Sequence, residues 1–358
     1  MDTNPYQNLA LRLDQLPNGF PPTPDHVELR LLAYLFTPEE AGLAAELRLT
    51  LETPEQLSQR LGLDLAELRP RLKHMARRGL ITAGPTPGGL GFGLMPFVVG
   101  IYENQGPTID AELAQLFEQY YRQAFGMMLA VQPAVHRVIP VNESIPIGLE
   151  VRPFESAAEI VSSAKAWAVS DCICRKQKLL IGQGCSHPLD VCLFMSSTPG
   201  AFDHSNTARV LTQEEAMATL RRAAEAGLVH SVSNNQKDVW YICNCCTCSC
   251  GVLRGLVDLG VANVVAHSAY INQVDGDKCI LCGDCVDRCQ FDALTLDSSL
   301  VIDLLRCAGC GVCTIACPEG ALSLVLRPET DIFTPPEREA DWREARAKAR
   351  HLDLDRVL

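Results

Sequence analysis

The sequence predicts a multidomain α+β protein, and three observations carry that expectation. The first 104 residues alternate capped helices with a Pro/Gly-punctuated hairpin pattern. All 17 cysteines lie between Cys172 and Cys317, leaving the front and the tail as ordinary polypeptide. A short internal repeat with an offset of 28 residues occupies the end of the cysteine-bearing stretch. The expected domains are 1–104, 105–268, 269–328 and a charged helical tail over 329–358.

Each element of the front half has a local reason. Thr37-Pro38-Glu39-Glu40 supplies an N-cap, a proline at the first helical position and a glutamate that reaches back. Thr53-Pro54-Glu55-Gln56 repeats the device, and Asp64-Leu65-Ala66-Glu67 is a third start signal. Gly62 and Gly79 stand where helices end. The apolar pair Leu80-Ile81, a turn from Gly84 to Gly89 and a further apolar run follow. Helix, short helix, longer helix and hairpin is the order of a winged helix-turn-helix, with Leu65–Arg78 as its recognition helix. A helix is expected from Asp110 to Phe125. The Pro-spaced stretch Pro133–Pro153 reads as strands and connections, Ala157–Ala168 as helix, and Gln213–Ala226 as a helix capped by Thr212 with Glu215.

Composition narrows the function classes. Apolar residues make up 47% and charged residues 21%, ordinary for a globular chain. The longest apolar run, Phe92–Tyr102, is broken by Pro96 and Gly100, so no membrane span is expected. Met1-Asp2-Thr3-Asn4-Pro5 has neither a basic segment nor an apolar core, and the expected location is the cytoplasm. A net charge of −12 disfavours nonspecific attraction to nucleic acid or anionic lipid. Thiols at this density in a reducing compartment point to metal rather than disulfides.

The repeat pairs Cys279, Cys282, Cys285 and Cys289 with Cys307, Cys310, Cys313 and Cys317. The same offset matches Gly283 with Gly311, Ala293 with Ala321 and Leu294 with Leu322. Two such units, each too small for its own core, imply packing about a pseudo-two-fold axis. Each carries C-x-x-C-x-x-C-x-x-x-C, in which three thiolates wrap one face of a cubane and the fourth serves the other cluster. One cluster then takes Cys279, Cys282, Cys285 and Cys317, and the other Cys307, Cys310, Cys313 and Cys289. Paired zinc knuckles fit evenly spaced triplets badly. This stretch resembles a bacterial-type ferredoxin with two [4Fe–4S] clusters over about 270–328. Cys317-Pro318 keeps the proline that usually follows the fourth cysteine, whereas Gln290 departs from the pattern after Cys289.

Nine cysteines remain upstream: Cys172, Cys174, Cys185, Cys192, Cys243, Cys245, Cys246, Cys248 and Cys250. Five within eight residues cannot all serve as packing, because neighbouring side chains point in different directions. Cys172, Cys174, Cys185 and Cys192 make one four-ligand set, and four of the later five another. Arg175 and Lys176 would lower thiol pKa values and offset a cluster's charge. An additional iron–sulfur site, a zinc site, and metal-free redox thiols are all open, and His187 and His204 are weighed as surface residues first. The C-x-C-R…G-C-x-x-P-x-x-x-C arrangement before a ferredoxin module resembles iron–sulfur proteins described as 4Fe–4S dicluster-domain proteins. The winged-helix-like front around Phe20-Pro21-Pro22 is similar to them as well. That resemblance implies a cofactor class, not a reaction.

No G-x-G-x-x-G fingerprint, P-loop or G-x-S-x-G elbow is present, and the glycine-rich Gly88–Gly93 belongs to the wing turn. The expected function is an iron–sulfur electron carrier or oxidoreductase component with a redox protein as partner. A redox-sensing winged-helix regulator and an oxidoreductase with a catalytic upstream cluster are the alternatives. For the regulator, Arg69, Arg71, Lys73, Arg77 and Arg78 gather on the recognition helix; against it, Pro70 interrupts that helix and acids surround it.

Overall fold

A computed structural model describes residues 4–141, 144–145, 151–205 and 207–358. The chain divides into two compact units, residues 1–131 with 343–358, and residues 132–342. The contacts thus carry the first unit past the expected boundary at residue 104 to Val131, and assign the end of the tail to it. The cysteine-rich and repeat segments, expected as separate domains, both fall in the second unit.

In the first unit, helices span Pro5–Asp14, Val27–Leu35, Pro38–Ala45, Pro54–Leu61, Leu65–Arg77 and Ala111–Tyr120. Thr37 and Thr53 each form a reciprocal capping box, with Glu40 and Gln56. Asp64 caps the next helix by accepting from the Ala66 and Glu67 amides. Strands β1 (Thr82–Thr86) and β2 (Gly89–Gly93) pair antiparallel. The turn between them is tighter than the Gly84–Gly89 turn the sequence suggests. Glu52 bridges to Phe92, adding one residue pair to the hairpin's edge.

Behind these helices Tyr102 stacks on Phe117 with ring centroids 3.7 Å apart, and Phe20 meets both Phe97 and Tyr120 at 4.7 Å. Aromatic contacts of this kind contribute beyond their buried area. The tail is more than a solvated surface helix. Arg346 is fully buried, and its guanidinium donates to the carbonyls of Pro17 (3.0 Å), Met128 (2.8 Å) and Val131.

The second unit is built on a seven-stranded sheet. Its strands are β3 (His136–Val138), β4 (Ala166–Asp171), β5 (Asp190–Ser196), β6 (Arg209–Leu211), β7 (Val229–Ser233), β8 (Tyr241–Cys245) and β9 (Val265–Ala266). The order is β6-β4-β5-β8-β7-β3-β9, antiparallel throughout except for the β3–β9 pair. Helices Ala157–Ser163 and Gln213–Glu225 contribute Ala157, Ile160, Val161, Ala216 and Leu220 to a core with Val169, Leu193, Met195, Val232 and Ile242 of the sheet. Thr212 and Glu215 close the expected capping box.

The expected helix Ala157–Ala168 is corrected: it ends at Ser163, and Ala166 onward is β4. Ala166, Ala168 and Val169 are buried there against flanking strands, and tertiary pairing overrides the helical pattern. Of the expected strands over 133–153, β3 is present, while residues 142–143 and 146–150 lie outside the described residues.

The repeat follows the sheet. Strand β10 (Tyr270–Val274) pairs antiparallel with β13 (Leu322–Leu326), and β11 (Leu294–Leu296) pairs with β12 (Leu300–Ile302). The first strand of each repeat therefore pairs with the last strand of the other, as a pseudo-two-fold arrangement requires. Two short helices, Asp284–Arg288 and Val312–Ala316, occupy matching positions.

Arg346→Ala should destabilise the first unit by on the order of 3 kcal/mol, because it strips a charged donor from buried carbonyls. Arg346→Lys should rescue little, since a single ammonium cannot reproduce the fork. Urea unfolding followed by intrinsic fluorescence measures both.

Candidate metal centres

The repeat segment brings its cysteines together across, not within, the two repeats. One cavity is lined by Cys279, Cys282, Cys285 and Cys317, with Leu281, Leu296, Leu300 and Leu322 among the apolar residues around it. The other four, Cys289, Cys307, Cys310 and Cys313, lie within electrostatic reach of one another. Burial pushes the Cys310 thiol up to about 12 and raises Cys313 and Cys289 as well. Burial therefore disfavours bare thiolates at Cys289, Cys310 and Cys313, and a cation bound there would displace their protons.

Backbone and amide donors already point at sulfur. The Ala293 amide is 3.3 Å from Cys289 Sγ, and the repeat-related Ala321 amide is 3.2 Å from Cys317 Sγ. Asn272 Nδ2 lies 3.2 Å from Cys313 Sγ. Gly283 and Gly311 start the two short helices with φ of +88° and +76°, in the left-handed region that favours glycine. Gly309 is more constrained: φ is +69°, and a Cβ there would overlap the Tyr270 carbonyl of β10.

Upstream, the sheet decides which sulfurs meet. On β5, Val191, Leu193 and Met195 are buried and alternate with Cys192, which faces away from the helix-covered core. On β8, Cys243 and Cys245 share the face opposite Ile242 and Asn244, and Leu193 pairs with Ile242. Cys172 occupies the N-cap position of the helix Ile173–Leu180 just beyond β4, with Cys174 in its first turn. Hydrogen-bonded thiol contacts run from Cys192 through Cys172, Cys174, Cys250 and Cys245 to Cys243. Six sulfurs thus form one continuous set. Hydrogen bonds from Cys174 and Cys192 hold the Cys172 thiol below its ordinary range.

Cys185, His187, Cys246 and Cys248 form a second group, with ligand atoms all within 4.8 Å of one another. Of the expected set Cys172, Cys174, Cys185 and Cys192, Cys185 thus lies with His187, Cys246 and Cys248, and the other three lie together. Cys185 lies in the loop before β5, with its sulfur 3.4 Å from Ser249 Oγ. His204 is exposed and outside the group, whereas His187 is inside it, its Nδ1 3.6 Å from Cys248 Sγ. The signal for His187 was the matched spacing of Cys185-x-His187 and Cys246-x-Cys248, the second pair lying on a turn in which the Cys250 amide donates to the Cys246 carbonyl at 3.0 Å.

Arg175 stands between the two groups. It is 2% exposed, and its Nη1 donates to the Asn244 carbonyl at 3.1 Å and approaches Cys246 Sγ at 3.7 Å. Its Nε and Nη2 are buried without a partner among the described residues. Burial opposes its charge, yet the thiolates of Cys172, Cys246 and Cys192 raise its pKa. A hydrogen bond from Cys248, opposed by burial and helped by His187 and Arg175, draws the Cys246 thiol down to about 4. A buried cation with two orphan donors beside a set of thiolates fits an anionic sulfur-rich group.

Gly309→Ala should cost far more than Gly283→Ala. At Gly283 the nearest side chain, Leu296, is 3.8 Å from a built Cβ, leaving the left-handed backbone penalty of about 1–2 kcal/mol. Iron per purified chain and the thermal midpoint should fall sharply for the first variant and mildly for the second.

Residues 278–321 match the 4Fe-4S dicluster domain family. Over 50 residues the chain is 44% identical to indolepyruvate oxidoreductase subunit IorA of Methanothermobacter thermautotrophicus, covering 14% of this chain and 8% of that protein. Over 74 residues it is 32% identical to an uncharacterized ferredoxin of Methanocaldococcus jannaschii, covering 19% of this chain and 49% of the relative. The chain thus spans less than half the length of each. No solved structure gives a significant match. Among the described residues, no helix is long and apolar enough to cross a membrane. The matched segment contains all eight repeat cysteines, and the chain is accordingly an iron–sulfur protein bearing a 4Fe-4S dicluster domain.

Proposed function

We propose that the chain is an electron-transfer component holding two [4Fe–4S] clusters in the dicluster domain, with a further iron–sulfur cluster on the upstream six-cysteine set. The observation that carries the first part is the cavity lined by three cysteines of one repeat and the fourth of the other. Cys279, Cys282, Cys285 and Cys317 would hold one cluster there, and Cys307, Cys310, Cys313 and Cys289 the other. A cluster so bound supplies one-electron transfer at a potential set by hydrogen bonds and burial. This chain's own residues do the tuning. The amides of Ala293 and Ala321 and the Asn272 side chain donate to ligand sulfur, and buried Leu300 and Leu322 cover the inner side of the first site.

For the upstream cluster, Cys172, Cys174, Cys192, Cys243, Cys245 and Cys250 offer more thiols than a cubane needs. The orphan donors of Arg175 supply charge compensation and hydrogen bonds to sulfide. The partner is read as an oxidoreductase, in line with the named role of one relative as an oxidoreductase subunit. An acidic chain favours a basic docking patch on that partner.

The front is read as a winged-helix-like protein-interaction module rather than a DNA reader. Three of its five clustered basic side chains are already engaged: Arg69 with Glu55, Arg71 with Glu67 at 3.5 Å, and Arg78 with Glu40 at 2.7 Å. Phosphate binding would have to break these pairs.

Anaerobic purification with iron and sulfide counting tests the cofactor reading: the dicluster domain alone accounts for about eight irons, and the upstream cluster adds to that number. Cys289→Ala should abolish the electron paramagnetic resonance signal of the cluster held by Cys307, Cys310 and Cys313. Loss of the Cys279–Cys285 cluster instead would refute the crossed ligation. Fluorescence anisotropy with the chain's own upstream DNA should show no submicromolar, sequence-selective binding. A tight interaction with a steep salt slope would move the reading to the redox-sensing regulator.

A further inference from the structure

We infer that Cys185, His187, Cys246 and Cys248 form a closed tetrahedral site for one divalent metal ion of the zinc class, separate from every iron–sulfur site above. The inference goes beyond the electron-transfer reading and does not require it.

Size is the first argument. A single zinc ion, with Zn–S near 2.3 Å and Zn–N near 2.0–2.1 Å, sets tetrahedral donors roughly 3.5–3.8 Å apart. The four donors here all lie within 4.8 Å of one another, and Cys248 Sγ is 3.6 Å from His187 Nδ1. A cubane binds each thiolate through a different iron and so spreads its ligands wider. Chemistry is the second argument. Three thiolates and an imidazole are a Cys3His set, which closes zinc's coordination and leaves no position for water or substrate.

The surroundings favour deprotonated sulfur. Arg175 Nη1 approaches Cys246 Sγ at 3.7 Å, and Ser249 Oγ is 3.4 Å from Cys185 Sγ. Three thiolates around a dication leave one net negative charge, which the buried guanidinium offsets. Outer donors of this kind orient ligands and hold them in their anionic form.

The third argument concerns what the ion would hold in place. Thr247 lies between two of the ligands. Its amide and hydroxyl both donate to Gln290 Oε1, at 2.9 and 3.0 Å, while Gln290 Nε2 donates to the Gly227 carbonyl at 3.2 Å. Gln290 is the residue after Cys289, where the ferredoxin pattern expects proline. Proline has no side-chain donor or acceptor and could make none of these bonds. The departure at position 290 therefore coincides with a clamp between the Cys246–Cys248 loop and the dicluster segment. An ion that fixes this loop fixes one side of the clamp. The role is structural, with no electron or proton transferred at the metal.

The test uses the full chain purified anaerobically. Elemental analysis should find about one zinc ion per chain in addition to iron. Cys248→Ser and His187→Ala should each lose that zinc while iron per chain and the cluster spectra stay unchanged. Cobalt(II) added to the zinc-stripped chain should give the intense visible bands of a tetrahedral thiolate site, weakened in Cys246→Ser. If a variant does not fold, the cobalt titration of the unsubstituted chain still decides the matter. Absence of stoichiometric zinc or cobalt binding there overturns the site, as does loss of iron rather than zinc in Cys248→Ser. Gln290→Pro should retain zinc and clusters but raise amide hydrogen exchange over residues 246–250 at least several-fold. Unchanged exchange removes the clamp. Iron counts and resonance spectra report on the dicluster reading independently, so the two can fail separately.

Discussion

A cysteine has one rotatable bond between its backbone and its sulfur, so thiols converge only where the backbone is already in place. The second unit is organised around that constraint. In the dicluster segment, positive φ at Asp292 and Gly320 precedes the Ala293 and Ala321 amides that face the sulfurs of Cys289 and Cys317. Upstream, β-sheet register does the same work. Alternation on β5 and β8 turns Cys192, Cys243 and Cys245 to one face while Leu193, Met195 and Ile242 fill the core on the other. A register slip of one residue on either strand would exchange the two sets.

Converging thiols create a charge problem, and the two regions solve it differently. In the dicluster segment, burial raises the Cys289, Cys310 and Cys313 thiols, so metal loading there would displace protons. Upstream, Arg175 is buried where its charge meets sulfur from both groups. Holding a guanidinium in an apolar interior is costly unless anions face it. Arg175 is therefore intelligible only as the counter-charge of the sulfurs around it. Gln290 ties the two regions by ordinary amide hydrogen bonds, so the same short peptide carries a repeat cysteine and a contact to the upstream loop.

Much of this could be read directly from residue order. The capping boxes at Thr37, Thr53 and Thr212 and the helix stop at Gly62 stand where the pattern put them, whereas the hairpin is present with a tighter turn and Gly89–Gly93 as a strand. The dicluster segment was legible because its ligands are close in sequence: spacing of three residues and a 28-residue repeat restrict geometry before any fold exists. Ala157–Ala168 misled because its apolar spacing suits a helix, while pairing to β5 and β6 claims its end, from Ala166, as strand.

The upstream cysteines mark the limit. Their number and clustering mark them by themselves as ligand candidates. How they divide depended on contacts among β4, β5, β8 and the loops beside them, which are far apart in sequence. Cys185 and Cys192 are neighbours in the chain, yet one belongs with Cys246 and the other with Cys172. His187 looked like a lone surface histidine until the fold brought three thiols to it. Local spacing constrains ligands only when one turn or strand holds them all. Where several elements contribute one sulfur each, the sheet's register and the loop paths assign them, and those are properties of the tertiary structure.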